Sequence, residues 1–446
     1  MYKKLNKYFV STILFTIFNL FPFVVNSQGI WNLTKCIEYA IDNNIDLNIK
    51  RNLVSKQIIN FDESKAAIYP DLNLGSALNI NFGRNIDGTT NDITFNQTIS
   101  NNIWLSSSID IFQGMVKRNR ILFNKYLLLA EKEESESMKN RLIFNVVTAY
   151  YTTLYSIGLE EVAQNQVKLS EKQYKRMQKL VDVGKESLLK TQDLKSQWVA
   201  DKLNLTKAIN IKNDKLLELK QLLRLKANDK ITLDTTRNSF EINTLLPEID
   251  SLNYRAINFL PEMKQQNYLL DASKRELAVS KGKISPRLYL SAGLNTGYFN
   301  GIELDYLSQI KNNQSQQVRL GLLIPIFNNA SVSSDIKRKK IAIETQELKL
   351  EKQKEQLYSD IWKAIENTKS AEKEYQSAIE LYKFSKISFQ SAAKRLETGI
   401  ANSSEFEIAK QRLFSSEVAK LKSELTYLMY RQILEFYRTG NWNHIK

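Results

Sequence analysis

Residues 64–79 read SKAAIYPDLNLGSALN, and residues 280–295 read SKGKISPRLYLSAGLN. Ser64, Lys65, Ile68, Pro70, Leu72, Leu74, Leu78 and Asn79 thus recur as Ser280, Lys281, Ile284, Pro286, Leu288, Leu290, Leu294 and Asn295, at a constant offset of 216. Outward from this core the match runs without a gap over 36–82 and 252–298, adding Ala40/Ala256, Ile41/Ile257 and Leu53/Leu269. From about Ile109 the offset becomes 215, pairing Phe112 with Phe327, Ala149 with Ala364 and Gly184 with Gly399. The slip falls in polar, turn-rich sequence between the blocks. A repeat this long is a doubled domain rather than a solenoid.

Each half has the same order. A helix (34–68, and 250–284) stops near Pro70 or Pro286, because proline disfavours helix in the residue before it. A strand follows, 72–83 or 287–299, with Leu72, Leu74, Leu78, Ile80 and Phe82 on one face in the first half. Leu288, Leu290, Ala292, Leu294 and Tyr298 share a face in the second. After a polar loop (84–101, and 300–315) comes a second strand, 102–112 or 316–327. Its apolar set is Ile103, Leu105, Ile109 and Ile111, or Val318, Leu320, Leu322, Ile324 and Ile326. Period-two alternation is the strand signal, and about 9–11 residues suffice for a tilted strand to cross a bilayer. A small soluble sheet gives the same pattern.

A long helix comes next, 114–183 in the first half and 330–397 in the second; Met115–Val183 holds no Pro and only Gly158. At about 1.5 Å per residue each makes a rod of roughly 100 Å. A seam spaced 4, 3, 4, 3 runs through Leu357, Ile361, Ala364, Thr368, Ala371, Tyr375, Ala378, Tyr382, Ser385, Phe389, Ala392 and Leu396. Moved by 215, it becomes Leu142, Val146, Ala149, Thr153, Ser156, Glu160, Ala163, Val167, Ser170, Tyr174, Met177 and Val181. A strict period of 3.5 predicts coiled-coil-like contact with a left-handed twist. One seam position is small in both copies, which lets helices approach closely; a simple stabilising coiled coil also accounts for it. Each rod ends at a glycine turn, Val183-Gly184-Lys185 or Thr398-Gly399-Ile400, and a helix returns over 187–226 or 403–437. The returning seam Leu205, Ile209, Leu216, Leu219, Leu223 fits an antiparallel hairpin. The repeats span 28–226 and 250–437, with a linker at 227–249 and a tail at 438–446.

Composition narrows the function. The chain of 446 residues has 14 Gly and 6 Pro, which fits long elements with few turns. One Cys, Cys36, excludes an intramolecular disulfide and a Cys-rich zinc site, and one His, His444, argues against His-dependent catalysis. No Gly-rich phosphate loop or metal-ligand cluster is legible, so no cofactor and no enzymatic activity are expected. Lys3, Lys4 and Lys7, the apolar run Phe9–Val25, and Val25 and Ser27 before Gln28 read as a secretory signal over 1–27. Asn19 and Pro22 interrupt the run and disfavour a membrane anchor; Cys36 lies well past it and reads as a helix residue, not a lipidation site. Removing the signal lowers the formal charge from +15 to 15 − 3 = +12. Export separates the basic chain from the genome, so no nucleic-acid partner is expected.

Four membrane strands cannot close by themselves, because free edges leave unpaired amides in hydrocarbon. Two chains supply eight strands and three supply twelve, and a ring of strands fed by a ring of long helices is a tube. The duplicated order of strand pair, long helix, glycine tip and returning helix resembles the TolC family of outer-membrane efflux and secretion ducts. The resemblance rests on RLETGIANSSEF at 395–406, more loosely on LVDVGKES at 180–187, and on NFGRNID at 81–87, which is similar to Bacteroidetes-type members. It covers essentially the whole mature chain. It implies a mainly α fold with β: hairpins forming a periplasmic α-barrel of twelve helices, joined to a trimeric twelve-stranded transmembrane β-barrel with four strands per chain. It also implies that the shorter helices stack end to end, 34–68 over 187–226, and that 227–250 and the C-terminus form an equatorial region.

The same resemblance implies the working parts. Helix tips close the periplasmic mouth, and an acidic residue six positions after the tip glycine lines the constriction. Glu405 fits that place; Lys190 occupies it in the first half, with Asp193 three residues on. An acidic ring of Glu405 and Asp193 selects cations in one reading, and Lys190 latches the mouth in another; solvated helix charges are the bland alternative. Gly184, Lys185, Gly399 and Ile400 are the expected contacts for the hairpins of a periplasmic adaptor. Phe82, Trp104, Phe112, Tyr298, Phe299 and Phe327 near the strand ends read as membrane-interface aromatics, though strand propensity explains some. The expected function is the passive exit duct of a tripartite efflux system: a homotrimer in outer-membrane lipid, docked by an adaptor and powered by an inner-membrane pump of RND or ABC type. The alternatives are a type I protein-secretion conduit and a non-channel periplasmic coiled-coil scaffold.

Overall fold

A computed structural model describes residues 30–86, 91–94, 97–236, 246–398 and 403–442. The expected signal segment, Gly399, Ile400 and His444 lie outside the described residues, as does 237–245 of the linker.

The first helical stretch of each repeat is two helices rather than the single helix expected over 34–68 or 250–284. In the first repeat α1 (Leu33–Asn43) and α2 (Ile45–Ala66) are separated by Asn44, whose backbone is extended. The Asn44 side chain accepts from the Leu47 N–H at 3.0 Å, so one residue ends α1 and caps α2. In the second repeat α5 (Ile249–Phe259) and α6 (Pro261–Gly282) break at Leu260, again extended. Pro261 opens α6, where its missing N–H costs nothing, and it keeps Leu260 out of helix. The two breaks are equivalent, since 44 + 216 = 260.

Four long strands, β1 (Asn73–Asn81), β4 (Thr98–Gln113), β5 (Arg287–Phe299) and β6 (Ser315–Leu323), form one antiparallel sheet in the order β1-β4-β5-β6. The loop between β1 and β4 carries a two-residue ribbon, β2 (Asn85–Ile86) with β3 (Ile93–Thr94). The loop before β6, expected to be merely polar, holds the short helix α7 (Tyr306–Asn312). β6 ends at Leu323 rather than Phe327. Pro325 supplies no ladder N–H, whereas Asp110 at the matching place lets β4 continue to Gln113.

Both strand pairs then turn into helix through two successive left-handed residues, Gly114-Met115 and Asn329-Ala330. At Gly114 the backbone also passes so close to the Gly282 carbonyl that a Cβ on either glycine would collide with the other's oxygen. The rods α3 (Val116–Asp182) and α8 (Ser331–Glu397) have 67 residues each. Each pairs with a returning helix, α4 (Leu188–Leu222) or α9 (Ser403–Thr439), while α2 and α6 pack on the remaining length of α3.

The buried stripe of each rod is its heptad seam. Val146, Thr153, Ser156, Ala163 and Ser170 are buried in α3, as are Ile361, Thr368, Ala371, Ala378 and Ser385 in α8. Thr153 and Thr368 are 0 % exposed. The Thr153 hydroxyl lies 2.6 Å from the Ala149 carbonyl and 3.1 Å from that of Lys215 on α4. Thr368 repeats this with Ala364 at 2.7 Å and Tyr430 on α9 at 3.3 Å. The threonine and both its partners keep the offset of 215. The main core lies at the equator, where α1, α5, the middle of the rods and the chain end meet. There the Trp31 N–H donates to Thr232, and Trp442 stacks on Phe436 at 4.6 Å.

Candidate conduit: open sheet edges and helix tips

Strand register divides the sheet into two faces. Leu74, Leu105 and Leu294 lie side by side, as do Ile109, Leu290 and Leu320, and Ala292 with Val318. The other face carries Asn73, Asn79, Ser100, Asn102, Ser106, Ser291, Asn295, Gln317 and Arg319 by the same register. The apolar face is open: Leu74, Leu78, Val318, Leu320 and Leu322 are all exposed. β1 and β6 are the free edges, nine residues each.

Four of the six aromatics lie in the sheet and divide between its faces. Phe112 stands opposite Leu288, past a bulge after Asp110, and Tyr298 opposite Asn101; both belong to the apolar face. Phe82 and Phe327 follow the ends of β1 and β6, both largely exposed. Trp104 and Phe299 lie on the polar face instead, opposite Asn295 and Ser100. Trp104 covers Gly75, where a Cβ would run into its ring. The alternation that gave Ile103 and Leu105 to the apolar side leaves Trp104 on the other, so Trp104 and Phe299 stand on the face opposite Phe112 and Tyr298.

Sequence reasoning missed the part played by α7. β5 extends beyond the last β6 pair, Asn295 with Ser315, so its outer end, though paired to β4, lacks a strand on the β6 side. The buried Gln309 amide supplies one, accepting from the Phe299 N–H at 2.9 Å and donating to the Phe299 carbonyl at 3.1 Å. One turn on, Asn313 donates to the Gly297 carbonyl at 2.9 Å. At the opposite rim Asp335 of α8 receives the Ser280 hydroxyl at 2.7 Å and lies near Lys283, contacts that hold its carboxyl below the usual range.

The first helix tip is a tight turn. Gly184 has φ +72°, its N–H reaches the Val181 carbonyl at 2.9 Å, and the Lys185 N–H reaches Leu180 at 2.8 Å. This pair of bonds closes a helix end through a left-handed residue, which glycine adopts without cost. Lys190 pairs with Glu186 at 2.7 Å, one turn back on the same hairpin. Glu405, in the first turn of α9, lies 3.5 Å from Arg395 in the last turn of α8. Asp193 is exposed on α4. The Lys190–Glu186 and Glu405–Arg395 pairs each lie inside one hairpin.

A more deeply placed charge cluster joins the two hairpins. Lys410 of α9 is 0 % exposed, with its Nζ 2.6 Å from Glu407 and 3.5 Å from Asp201 of α4, itself 2 % exposed. Gln197 donates to the other Asp201 oxygen at 3.2 Å. The sequence carried a signal: Lys410 completes an i, i+3, i+4 set with the buried Phe406 and Ala409. Among the described residues, no three of His, Cys, Asp and Glu converge as a metal site.

The chain thus joins a four-stranded sheet with an open apolar face and two free edges to two rod-like hairpins. The chain belongs to the outer membrane efflux protein family, whose model matches residues 37–223 and 252–436, one span in each repeat. It is 20 % identical over 331 residues to the probable efflux pump outer membrane protein TtgC of Pseudomonas putida, a match covering 70 % of this chain and 63 % of that protein's length. It is 21 % identical over 398 residues to the probable outer membrane lipoprotein SilC of Salmonella typhimurium, covering 89 % of this chain and 82 % of SilC. The solved Campylobacter jejuni CmeC outer membrane channel superposes with a TM-score of 0.81 at 15 % identity, over 92 % of this chain and 86 % of that one. At such identity the likeness shows the fold alone. The chain is an outer-membrane protein of TolC-like fold whose helices extend into the periplasm.

Proposed function

We propose that the chain is the passive exit duct of a tripartite efflux system, carrying small molecules from a periplasmic mouth through the outer membrane. The observation that carries this is the sheet: apolar on one open face, polar on the other, and unpaired along β1 and β6. In hydrocarbon those edges need partners, and a second copy supplies them by pairing β6 with its β1. Three copies give twelve strands, enough for a water-filled interior where eight leave little room. Exposed apolar residues on α2 (Ile45, Ile49, Ile59) and on α8 (Ile341, Leu348) add helical surface for the same contact. A soluble coiled-coil scaffold gives the open apolar sheet face nothing to do.

In this reading the tips at Gly184-Lys185 and Gly399-Ile400 meet a periplasmic adaptor, and an RND or ABC pump supplies the work. Glu405 and Asp193 line the closed mouth, with Lys190 beside them, and the protein performs no chemistry on its cargo. The test is membrane fractionation followed by chemical cross-linking and planar-bilayer recording. A cross-linked trimer in the outer-membrane fraction with stepwise conductance is expected; a soluble periplasmic protein that leaves bilayers silent would sink the proposal.

A further inference from the structure

The four long strands hold three charged residues among those described: Asp110, Arg287 and Arg319. Two are neutralised near the helix end of the sheet. Arg287 Nε is 2.6 Å from Asp110, whose other oxygen is 3.2 Å from Lys117 at the start of α3. Arg319 differs. It sits at the centre of β6, is exposed, and stands opposite Ser291 on the polar face, with no carboxylate reaching it among the described residues. Its neighbour Val318 points to the apolar face and is 76 % exposed. The row through Arg319 continues across Ser291 and Ser108 to Asp71, which accepts hydrogen bonds from Ser108 at the opposite edge.

Closure decides whether Arg319 meets that acid in the next copy. Were the two ends of the row to join, the barrel would have no stagger between copies, which tilted strands forbid. β1 and β6 have nine residues each, and full antiparallel overlap sets Leu323 against Asn73 and Ser315 against Asn81. That register keeps the apolar residues on one side and puts Arg319 against Ala77. It displaces Arg319 six residues from Asp71, about 20 Å along the strand at ~3.3 Å per residue. The β1 residues on that face are Asn73, Gly75, Ala77, Asn79 and Asn81, so the seam brings no acid to Arg319.

We propose that Arg319 from each copy forms a basic collar around the lumen of the membrane barrel, attracting anionic solutes that carry carboxylate or phosphate groups. The inference rests on the duct reading above. A guanidinium is charged at every relevant pH and offers a fork of donors to such groups, and rings of Arg or Lys favour anions in pores.

The experiment records the purified full chain in planar bilayers under a KCl gradient near 10 mM, where the screening length is about 30 Å. From wild type to Arg319→Gln to Arg319→Glu, the reversal potential is expected to move stepwise toward potassium, with a several-fold fall in the chloride-to-potassium permeability ratio. Ala77→Glu, placing a carboxylate across the seam, is expected to mimic Arg319→Gln and serves if the arginine variants fail to insert. Coincident reversal potentials in conducting channels overturn the collar, while a silent wild type overturns the duct reading instead. Face assignment has its own readout, because the native Cys36 is fully buried. Arg319→Cys is expected to react with a water-soluble anionic thiol reagent and lose conductance, with Val318→Cys protected by lipid; the reverse pattern overturns the proposal.

Discussion

The two repeats hold the same helical frame and part company at its ends. Both break their first helix at the equivalent residue, Asn44 or Leu260, and both start the rod through paired left-handed residues. Both clasp the hairpin with one buried threonine. At the membrane they differ: the first repeat has a long second strand and a ribbon loop, the second a strand cut short before Pro325 and an edge-capping helix. At the tips they differ again, since Lys190 pairs within α4 and its turn while Glu405 pairs across the second tip. Packing between long helices constrains every turn of the frame alike, whereas in the proposed duct the sheet ends and tips meet lipid, cargo or partners and are free to diverge.

The sharpest divergence is Lys410, buried between hairpins, whose counterpart Lys195 is exposed. Lys410→Ala leaves Asp201 and Glu407 without their cation and is expected to cost about 3–5 kcal/mol, read as a large fall in melting temperature. Lys195→Ala is expected to change it by less than about 0.5 kcal/mol. Equal effects would show the cluster is no clasp. Next in size, Gly184→Ala forces φ +72° on a residue with a Cβ; nothing lies within 4 Å of that Cβ, so the cost is backbone strain alone, about 1–2 kcal/mol. Recovery in Gly184→Asn, a residue that tolerates this region, separates strain from lost contact.

The shared clasp predicts a symmetrical result. Thr153→Val and Thr368→Val each remove one buried hydroxyl of the same geometry, so each is expected to cost about 1 kcal/mol. Unequal costs would break the equivalence of the repeats. The smallest effect depends on pH. Burial near the start of α6 raises the Glu262 carboxyl, while its counterpart Asp46 is exposed. A raised folded pKa means the folded chain holds its proton more tightly, so ionisation penalises the fold above that pKa and not below the unfolded one. Glu262→Gln is therefore expected to raise the melting temperature at neutral pH, with the gain vanishing as pH falls through the usual carboxylate range. A gain that persists in acid would assign the effect to packing instead.

Much of this was legible in the chain. The doubled Ser-Lys–Ile–Pro–Leu blocks, the alternating strands and the 3.5-residue seams rest on local periodicity, which survives any tertiary arrangement. The helix breaks were half legible: Pro261 is visible in the sequence and restricts Leu260, but Asn44 breaks its helix through a cap bond that composition alone does not announce. Proximity to a strand end does not specify an aromatic's face; parity does, and it puts Trp104 and Phe299 with the polar residues.

Sequence alone, then, determined the duplication, the rods and the two-faced strands, because each is a pattern of neighbours along the chain. Tertiary structure decided which edges stay open, that α7 side chains replace a missing strand, that Lys410 meets Asp201, and that Arg319 is left without a counter-charge among the described residues. Those depend on residues as many as 209 positions apart being brought within a few ångströms, and no local period encodes such a meeting.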